Sequence, residues 1–410
     1  MNKIYSRILI SFFLTMLMLL ASSCFGFNLD NIELPKVTSN KDIFNKDPDV
    51  SINEELPSYA NDKTCFLRNS LLNNKEQIIY DILYDGMINN KTTIKLSSVP
   101  GNFNSQADMK EMLSNAVYSV LRDHPQLFMY SGAYTYEFSN TLSISSVVME
   151  FKTIMSVNDA QEKQKEIDKV VNDLITKMTE LDEYNKSKYI YTYLAQNTTY
   201  QESENAHNMY GCLVEGISVC EGYAEAYSYI MQKCGMDVAY ISGTGKGELH
   251  AWNIIKIDNA WYHIDCTWGD PLIDIEDPEE KRLHVDYSYL HLTTDSILIN
   301  HTIDEFCKNI PVCTSIAANY YVKEASYLTD YSDKALADII NNKISEARDF
   351  NKEISISIRY SIPSDVQKAN KWLEDGKIKN IVKKINYSSF SYSWSCNDVG
   401  TITIKLLFKM

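Results

Sequence analysis

Apolar residues recur at helical spacing over 74–89, where Ile78, Ile79, Ile82, Leu83 and Met87 share one face. Residues 92–98 alternate as a strand does, and 108–121 return to a helical period that stops before His124-Pro125. Two alternating runs, 129–138 and 142–151, flank Ser139-Asn140-Thr141 and predict a β-hairpin. The charged stretch 157–195 predicts two helices with a break near 181–184. The same order returns near the other end: helix over 333–349, strand over 353–360, helix over 364–385 broken at Gly376, and a hairpin from 387–394 and 401–408. Helix, strand, helix, hairpin on both sides of the middle predicts a structural pseudo-repeat, although the two sequences match poorly. The middle reads as a helix over 219–234, closed by Gly235, and two strands, 249–257 and 260–268, joined by Asp258-Asn259. Helices and strands mixed in this way give an α+β fold.

The ends of the pattern differ from its interior. Residues 8–21 are apolar except for Ser11 and Thr15, and they follow Lys3 and Arg7. That is the charge and length of an export signal rather than of a membrane span. Ala21-Ser22-Ser23-Cys24 resembles a lipoprotein box, in which Cys24 would be acylated and anchor the chain to a membrane. A plain signal cleaved near Ser23 is the competing reading. Residues 27–63, rich in Asn, Asp, Pro and Ser, read as a tether or surface loop. The expected segments are therefore a signal at 1–23, a tether at 24–70, an N-terminal α+β module at 71–155, a core with leading helices at 156–312 and a C-terminal α+β module at 313–410. The protein is expected outside the cytoplasm, lipid-anchored on the cell surface or secreted.

Composition narrows the function by exclusion. With 45% hydrophobic and 23% charged residues, the 410-residue chain can bury a core and is not a disordered one. Its net charge of −15, with no basic run, excludes an ordinary nucleic-acid binder. Of nine cysteines, eight lie beyond Cys24. An exported chain can pair them as disulfides, but no C-x-x-C is present to suggest a zinc ribbon.

The chemistry lies in the middle. Cys220 opens the 219–234 helix, where backbone amides and the helix dipole favour a thiolate. Small residues at Gly222, Ala224 and Ala226 let other elements approach. A buried structural cysteine is the competing reading, and it suits Cys234 at the far end of the helix better. If Ile257 pairs with Ala260 in the strand pair, Trp252 faces Asp265, so His250, Trp252 and Asp265 share a sheet face. Cys220, His250 and Asp265 then form a nucleophilic site: the thiol attacks an acyl carbon, His250 handles its proton, and Asp265 fixes the imidazole. The Cys220 amide can serve an oxyanion hole, with Gln196, Tyr200 and Gln201 as candidates for the second donor.

Val219-Cys220-Glu221-Gly222-Tyr223-Ala224, His250-Ala251-Trp252-Asn253 and Trp261-Tyr262-His263-Ile264-Asp265-Cys266-Thr267-Trp268-Gly269-Asp270-Pro271 together resemble the transglutaminase-like core, over about residues 186–303. The resemblance implies a papain-like α+β fold with Cys220, His250 and Asp265 as its triad. It also makes Tyr210-Gly211-Cys212-Leu213 and Tyr287-Ser288-Tyr289 supporting family features.

Other motifs are weaker. Gly243-Thr244-Gly245-Lys246-Gly247 leads into a strand rather than a helix, so it reads as a mobile loop beside His250 and not as a phosphate cradle. His263, Asp265 and Asp270 form a thin metal pattern, and a packed strand histidine is preferred. His207, His284, His291 and His301 read as surface or structural, and 276–282 as a solvated charge run. No cofactor or metal is called for. Two functions compete: a thiol enzyme acting on amide bonds of a protein or peptide, by hydrolysis or acyl transfer, and a surface binding or scaffolding protein with an inactive core.

Overall fold

The computed structural model describes residues 59–409 except 60–61, 72, 97–98, 100–102, 141–143, 271–283, 308, 348–349, 351–352, 384 and 386. The signal, Cys24, most of the tether and the 276–282 charge run lie outside the described residues; the end of the tether segment instead forms the helix Phe66–Ser70, with Leu67 and Arg68 buried. The fold is α+β, and the chain divides into two units, one of residues 1–258, 265–285 and 302–311, the other of 259–264, 286–301 and 312–410. No helix among the described residues is long and apolar enough to cross a membrane.

In the first unit the predicted elements form with small shifts at their ends, and the helix Phe66–Ser70 is added before them, in the segment expected to be tether. They are α1 (Phe66–Ser70), α2 (Asn74–Ile88), β1 (Thr93–Lys95), α3 (Gln106–Asp123), β2 (Tyr130–Asn140), β3 (Ile144–Thr153), α4 (Val157–Lys177) and α5 (Glu183–Asn197). Short polar side chains set the helix starts. Asn73, Ser105, Ser156 and Asp182 each accept a hydrogen bond from a first-turn amide of α2, α3, α4 and α5 respectively. Asp182 is thus the reason the long helical stretch breaks where it does. β3 pairs antiparallel with both β1 and β2, giving the order β1-β3-β2. Ile79, Leu83, Leu113, Val117, Val147 and Met149, none more than marginally exposed, join these helices and strands in one core.

The same unit continues through β4 (Thr199–Tyr200), β5 (Ile217–Ser218), α6 (Cys220–Lys233), β6 (Val238–Gly245) and β7 (Glu248–Ile257). β4 and β5 run parallel, and β6 and β7 pair antiparallel from Val238↔Ile255 to Gly245↔Glu248. The described residues from Cys220 to Met231 are all buried, so α6 is a central helix rather than an amphipathic surface one. Gly243 and Gly245 belong to β6, and only Lys246 and Gly247, at φ 51° and 88°, turn the chain. The expected loop beside His250 is therefore a tight hairpin.

The second unit holds β8 (Ala260–Ile264), reached through Asp258 and Asn259, whose φ of 48° and 66° are those expected of the two-residue turn. Its larger part comprises β9 (Tyr327–Leu328), α7 (Asp333–Glu346), β10 (Ile354–Tyr360), α8 (Val366–Glu374), α9 (Lys379–Val382), β11 (Ser389–Cys396) and β12 (Thr401–Lys409). Gly376, at φ 69°, separates α8 from α9 as expected. β12 pairs antiparallel with β10 and β11, and β9 runs parallel to β10. Alternate residues Ile402, Ile404, Leu406 and Phe408 of β12 point into a core with Leu336, Ile340, Trp372 and Leu373. The two flanking modules thus share a connectivity: in each, the lone strand between the helices pairs with the second strand of the hairpin.

Candidate active site

Cys220 is the first residue of α6, which begins at Val219 without a side-chain cap. The N-cap residues of α2 to α5 bond first-turn amides with their side chains, whereas Val219, at the start of α6, has no side chain that can do so. The helix dipole there favours a thiolate or oxyanion. Close approach is built in at Gly222, where a Cβ would meet the carbonyl oxygens of Ala206 and Asn208 at 2.7 Å. β7 packs on this helix: Ala251 clusters with Cys220, Ala224 and Tyr240, and Asn253 Nδ2 donates to Ala224 O at 3.1 Å and Ser228 Oγ at 2.8 Å. The residue next to His250 is thus fixed against the helix start.

His250 Nε2 lies 2.8 Å from Asp265 Oδ2, and both residues are buried. A carboxylate can only accept, so Nε2 carries the proton and the lone pair resides on Nδ1. The Trp268 amide donates to Asp265 Oδ1 at 3.1 Å, holding the carboxylate from its other side. The imidazole lies between two indoles, with centroids 6.1 Å from Trp252 and 5.4 Å from Trp268. Gly245 makes room for this group, since a Cβ there would come within 2.8 Å of Trp268 and 3.2 Å of the His250 ring.

Residues 172–266 match the family model described as the transglutaminase-like superfamily. The chain carries a transglutaminase-like core. It is 22% identical over 161 residues to the kyphoscoliosis peptidase of Homo sapiens, covering 35% of this chain and 24% of that one. The Mus musculus kyphoscoliosis peptidase is 26% identical over 83 residues, 17% of this chain and 13% of its own. The chain thus spans about a quarter or less of the length of these relatives. A solved structure titled as a TGase is similar over 33% of this chain and 51% of its own, at 13% identity and a TM-score of 0.25.

Within the transglutaminase-like core the remaining candidates find separate partners. β4 pairing sets Tyr200 beside Ser218, and the Gln201 amide donates to Ser218 O, so both run alongside the approach to Cys220. Gln196 lies near the end of α5. His263 is buried, meets Thr294 Oγ1 at 3.1 Å and is pushed down to about 3 by burial, as a packed strand histidine should be. Asp270 accepts from the Tyr223 hydroxyl at 2.6 Å. The pattern His263, Asp265, Asp270 is thus divided among three different tasks. All eight described cysteines are thiols with no disulfide among them. Burial pushes Cys65, Cys212 and Cys313 up to about 12, and raises Cys234, Cys266, Cys307 and Cys396, which disfavours the thiolate at each.

His207 is more than a surface histidine. Its Nδ1 lies 2.6 Å from Glu221 Oε2 and its Nε2 3.1 Å from Glu202, and the hydrogen bond to Glu221 pushes it up to about 9. Trp268 as a wall of the imidazole and the Glu221 partnership were not read from the sequence. The Trp-Gly-Asp-Pro turn after Asp265 was the available signal for the first. Nothing local signals the second, because Arg122 and His207 come from distant segments.

Proposed function

We propose that the chain is a thiol-dependent enzyme that acts on amide bonds of proteins or peptides through Cys220, His250 and Asp265. The observation that carries this reading is the buried His250–Asp265 pair at 2.8 Å, in a core where Ala251, next to His250, packs against Cys220 at the start of α6. His250 Nδ1 takes the thiol proton, and the Cys220 sulfur attacks the carbonyl carbon. The C–N bond then breaks, and His250 returns the proton to the leaving amine, forming the acyl-enzyme. Asp265 keeps the ring oriented and offsets the imidazolium charge. Water or a second amine then takes the acyl group, which makes the enzyme a hydrolase or a transferase. The Cys220 amide is the proposed oxyanion donor.

A thiol-directed acyl probe applied to the purified protein tests this reading. Labelling at Cys220 that is lost in His250→Ala supports it, whereas an unlabelled wild type would favour a binding protein with an inactive core. The export reading belongs to the same proposal: an extracytoplasmic protein held by an acylated Cys24. Wild type should partition into detergent and Cys24→Ala should not, and a water-soluble wild type would remove the anchor.

A further inference from the structure

Beside the first turns of α6, in the first unit, lies a cleft of about 290 Å³. Glu221 and Glu225, one turn apart on one helix face, both line it. Arg122, from the last turn of α3, is shared between them, with Nη2 2.7 Å from Glu221 Oε1 and Nη1 2.8 Å from Glu225 Oε1. Its guanidinium lies 4.5 Å from the centroid of the Tyr240 ring. His207 takes the other oxygen of Glu221. Glu225 Oε2 is left buried with no side-chain hydrogen-bond partner among the described residues, on a side chain only 8% exposed, the Met209 amide being the backbone donor to this carboxylate.

A buried carboxylate oxygen in a cleft wall needs either a cation or a proton. Arg122 and His207 face Glu221, Glu225, Glu202 and Glu204, so carboxylates outnumber cations there. Glu225 is accordingly pushed up to about 8, chiefly by burial. At neutral pH it keeps a proton that an arriving cation would displace. Leu121, Leu127, Phe128 and Ile154 give the wall an apolar stretch that suits a methylene stem, beside polar Ser131 and Asn208.

We propose that this cleft is a subsite for a basic side chain of the substrate, an ammonium on an aliphatic stem, with Glu225 Oε2 as its counter-ion. The inference rests on the amide-bond reading above and adds the substrate class. The ammonium is an anchor, not the group that accepts the acyl chain: Glu225 lies five residues along the helix from Cys220, about 7.5 Å of rise. Arg122 Nε is also buried without a partner, which makes an anion the competing occupant.

The test is calorimetric titration of the full chain carrying Cys220→Ala, so that binding is read without turnover. The probes are 1-pentylamine, 1-pentanol and pentanoate, each at pH 7 in two buffers of different ionisation enthalpy. Saturable pentylamine binding with proton release, and none with pentanol, is expected. Glu225→Gln should weaken it by roughly tenfold or more. Ile154→Trp, at an exposed wall position that leaves the ion cluster intact, should do the same even if Glu225→Gln fails to fold. No saturable amine binding, equal binding of pentanol, preference for pentanoate, or affinity unchanged in Ile154→Trp would each overturn the subsite. An active wild type whose Cys220→Ala form binds no amine removes only the subsite. An inactive wild type whose Cys220→Ala form binds amine removes only the enzyme reading.

Discussion

Two cysteines of the first unit, Cys65 and Cys220, stand at a helix start, and the histidine–aspartate arrangement beside Cys65 differs from the His250–Asp265 pair proposed to serve Cys220. Cys65 caps α1, with His124 Nε2 3.7 Å from its sulfur and Asp123 close by. There Tyr80 stands between the histidine and the carboxylate. Its hydroxyl donates to Asp123 Oδ2 at 2.9 Å and is 2.8 Å from His124 Nε2. The single hydroxyl proton goes to the carboxylate, so Nε2 must be the donor toward Tyr80, and a protonated Nε2 is no base for the thiol. Asp123 spends its oxygens on the amides of Leu67 and Arg68, at the start of α1. Burial pushes His124 down to about 3 and the Cys65 thiol up to about 12, so both stay neutral. At the other site Asp265 meets His250 directly, and Trp268 N–H holds its second oxygen. Residue types are shared. What differs is whether the carboxylate reaches the imidazole or the helix amides.

The largest effect expected from this contrast is on turnover. Cys220→Ala should lower amide-bond activity on the order of 10⁵–10⁶-fold, while Cys65→Ala leaves kcat/KM within about twofold and costs about 1 kcal/mol of stability. Comparable losses in both variants would erase the distinction. Next is the carboxylate. Asp265→Asn should slow the reaction by on the order of 10²–10⁴-fold and leave a measurable residual, because an amide still orients the ring. His250→Ala should do worse than Asp265→Asn. Full activity in Asp265→Asn would mean that the His250–Asp265 contact is structural.

A smaller effect concerns thiol reactivity. Alkylation of Cys220 at neutral pH should slow by about tenfold in His250→Ala, since the thiolate loses its imidazolium partner. His124→Ala should leave that rate unchanged, and Cys65 should stay unlabelled in the native protein. Superimposable alkylation profiles against pH for wild type, Asp265→Asn and His250→Ala would uncouple both residues from Cys220.

A separate effect, on stability rather than reactivity, appears in acid. In the unfolded chain a histidine takes a proton below about 6.5, but folded His124 does so only below about 3. The unfolded state binds more protons between those values, so stability falls as pH falls through that window, by up to about 1.4 kcal/mol per pH unit. Asp123, pushed up from 3.8 to about 7 by burial, acts oppositely, and its contribution is lost as pH rises across that range. His124→Gln should remove the first slope and keep the second. Acid-unfolding curves of equal slope for wild type and His124→Gln would show that His124 is not held neutral by the fold.

Much of this was legible because it is local. Helix and strand periods indicated the elements, Asp258-Asn259 announced its own turn, and strand parity predicted that His250 and Asp265 meet. They do, at 2.8 Å, although β8 ends at Ile264 rather than running on to 268, and Asp265 follows it. Element ends were less legible, since they are set by whichever Ser, Asn or Asp reaches an amide. The Gly243–Gly247 segment reads as a loop by composition, yet β7 pairing draws its first three residues into a strand.

The sequence by itself determined the α+β class, the repeated helix-strand-helix-hairpin order and the three residues offered as the site, because short-range periods and turn chemistry are written in neighbouring side chains. Tertiary structure alone decided that Asp265 reaches an imidazole while Asp123 reaches helix amides, and that Arg122, His207, Glu221 and Glu225 meet in one cleft. Burial and charge pairing join residues roughly a hundred positions apart, such as Arg122 and Glu225. Their strength depends on how much water the assembled fold excludes, a quantity that no local window of sequence contains.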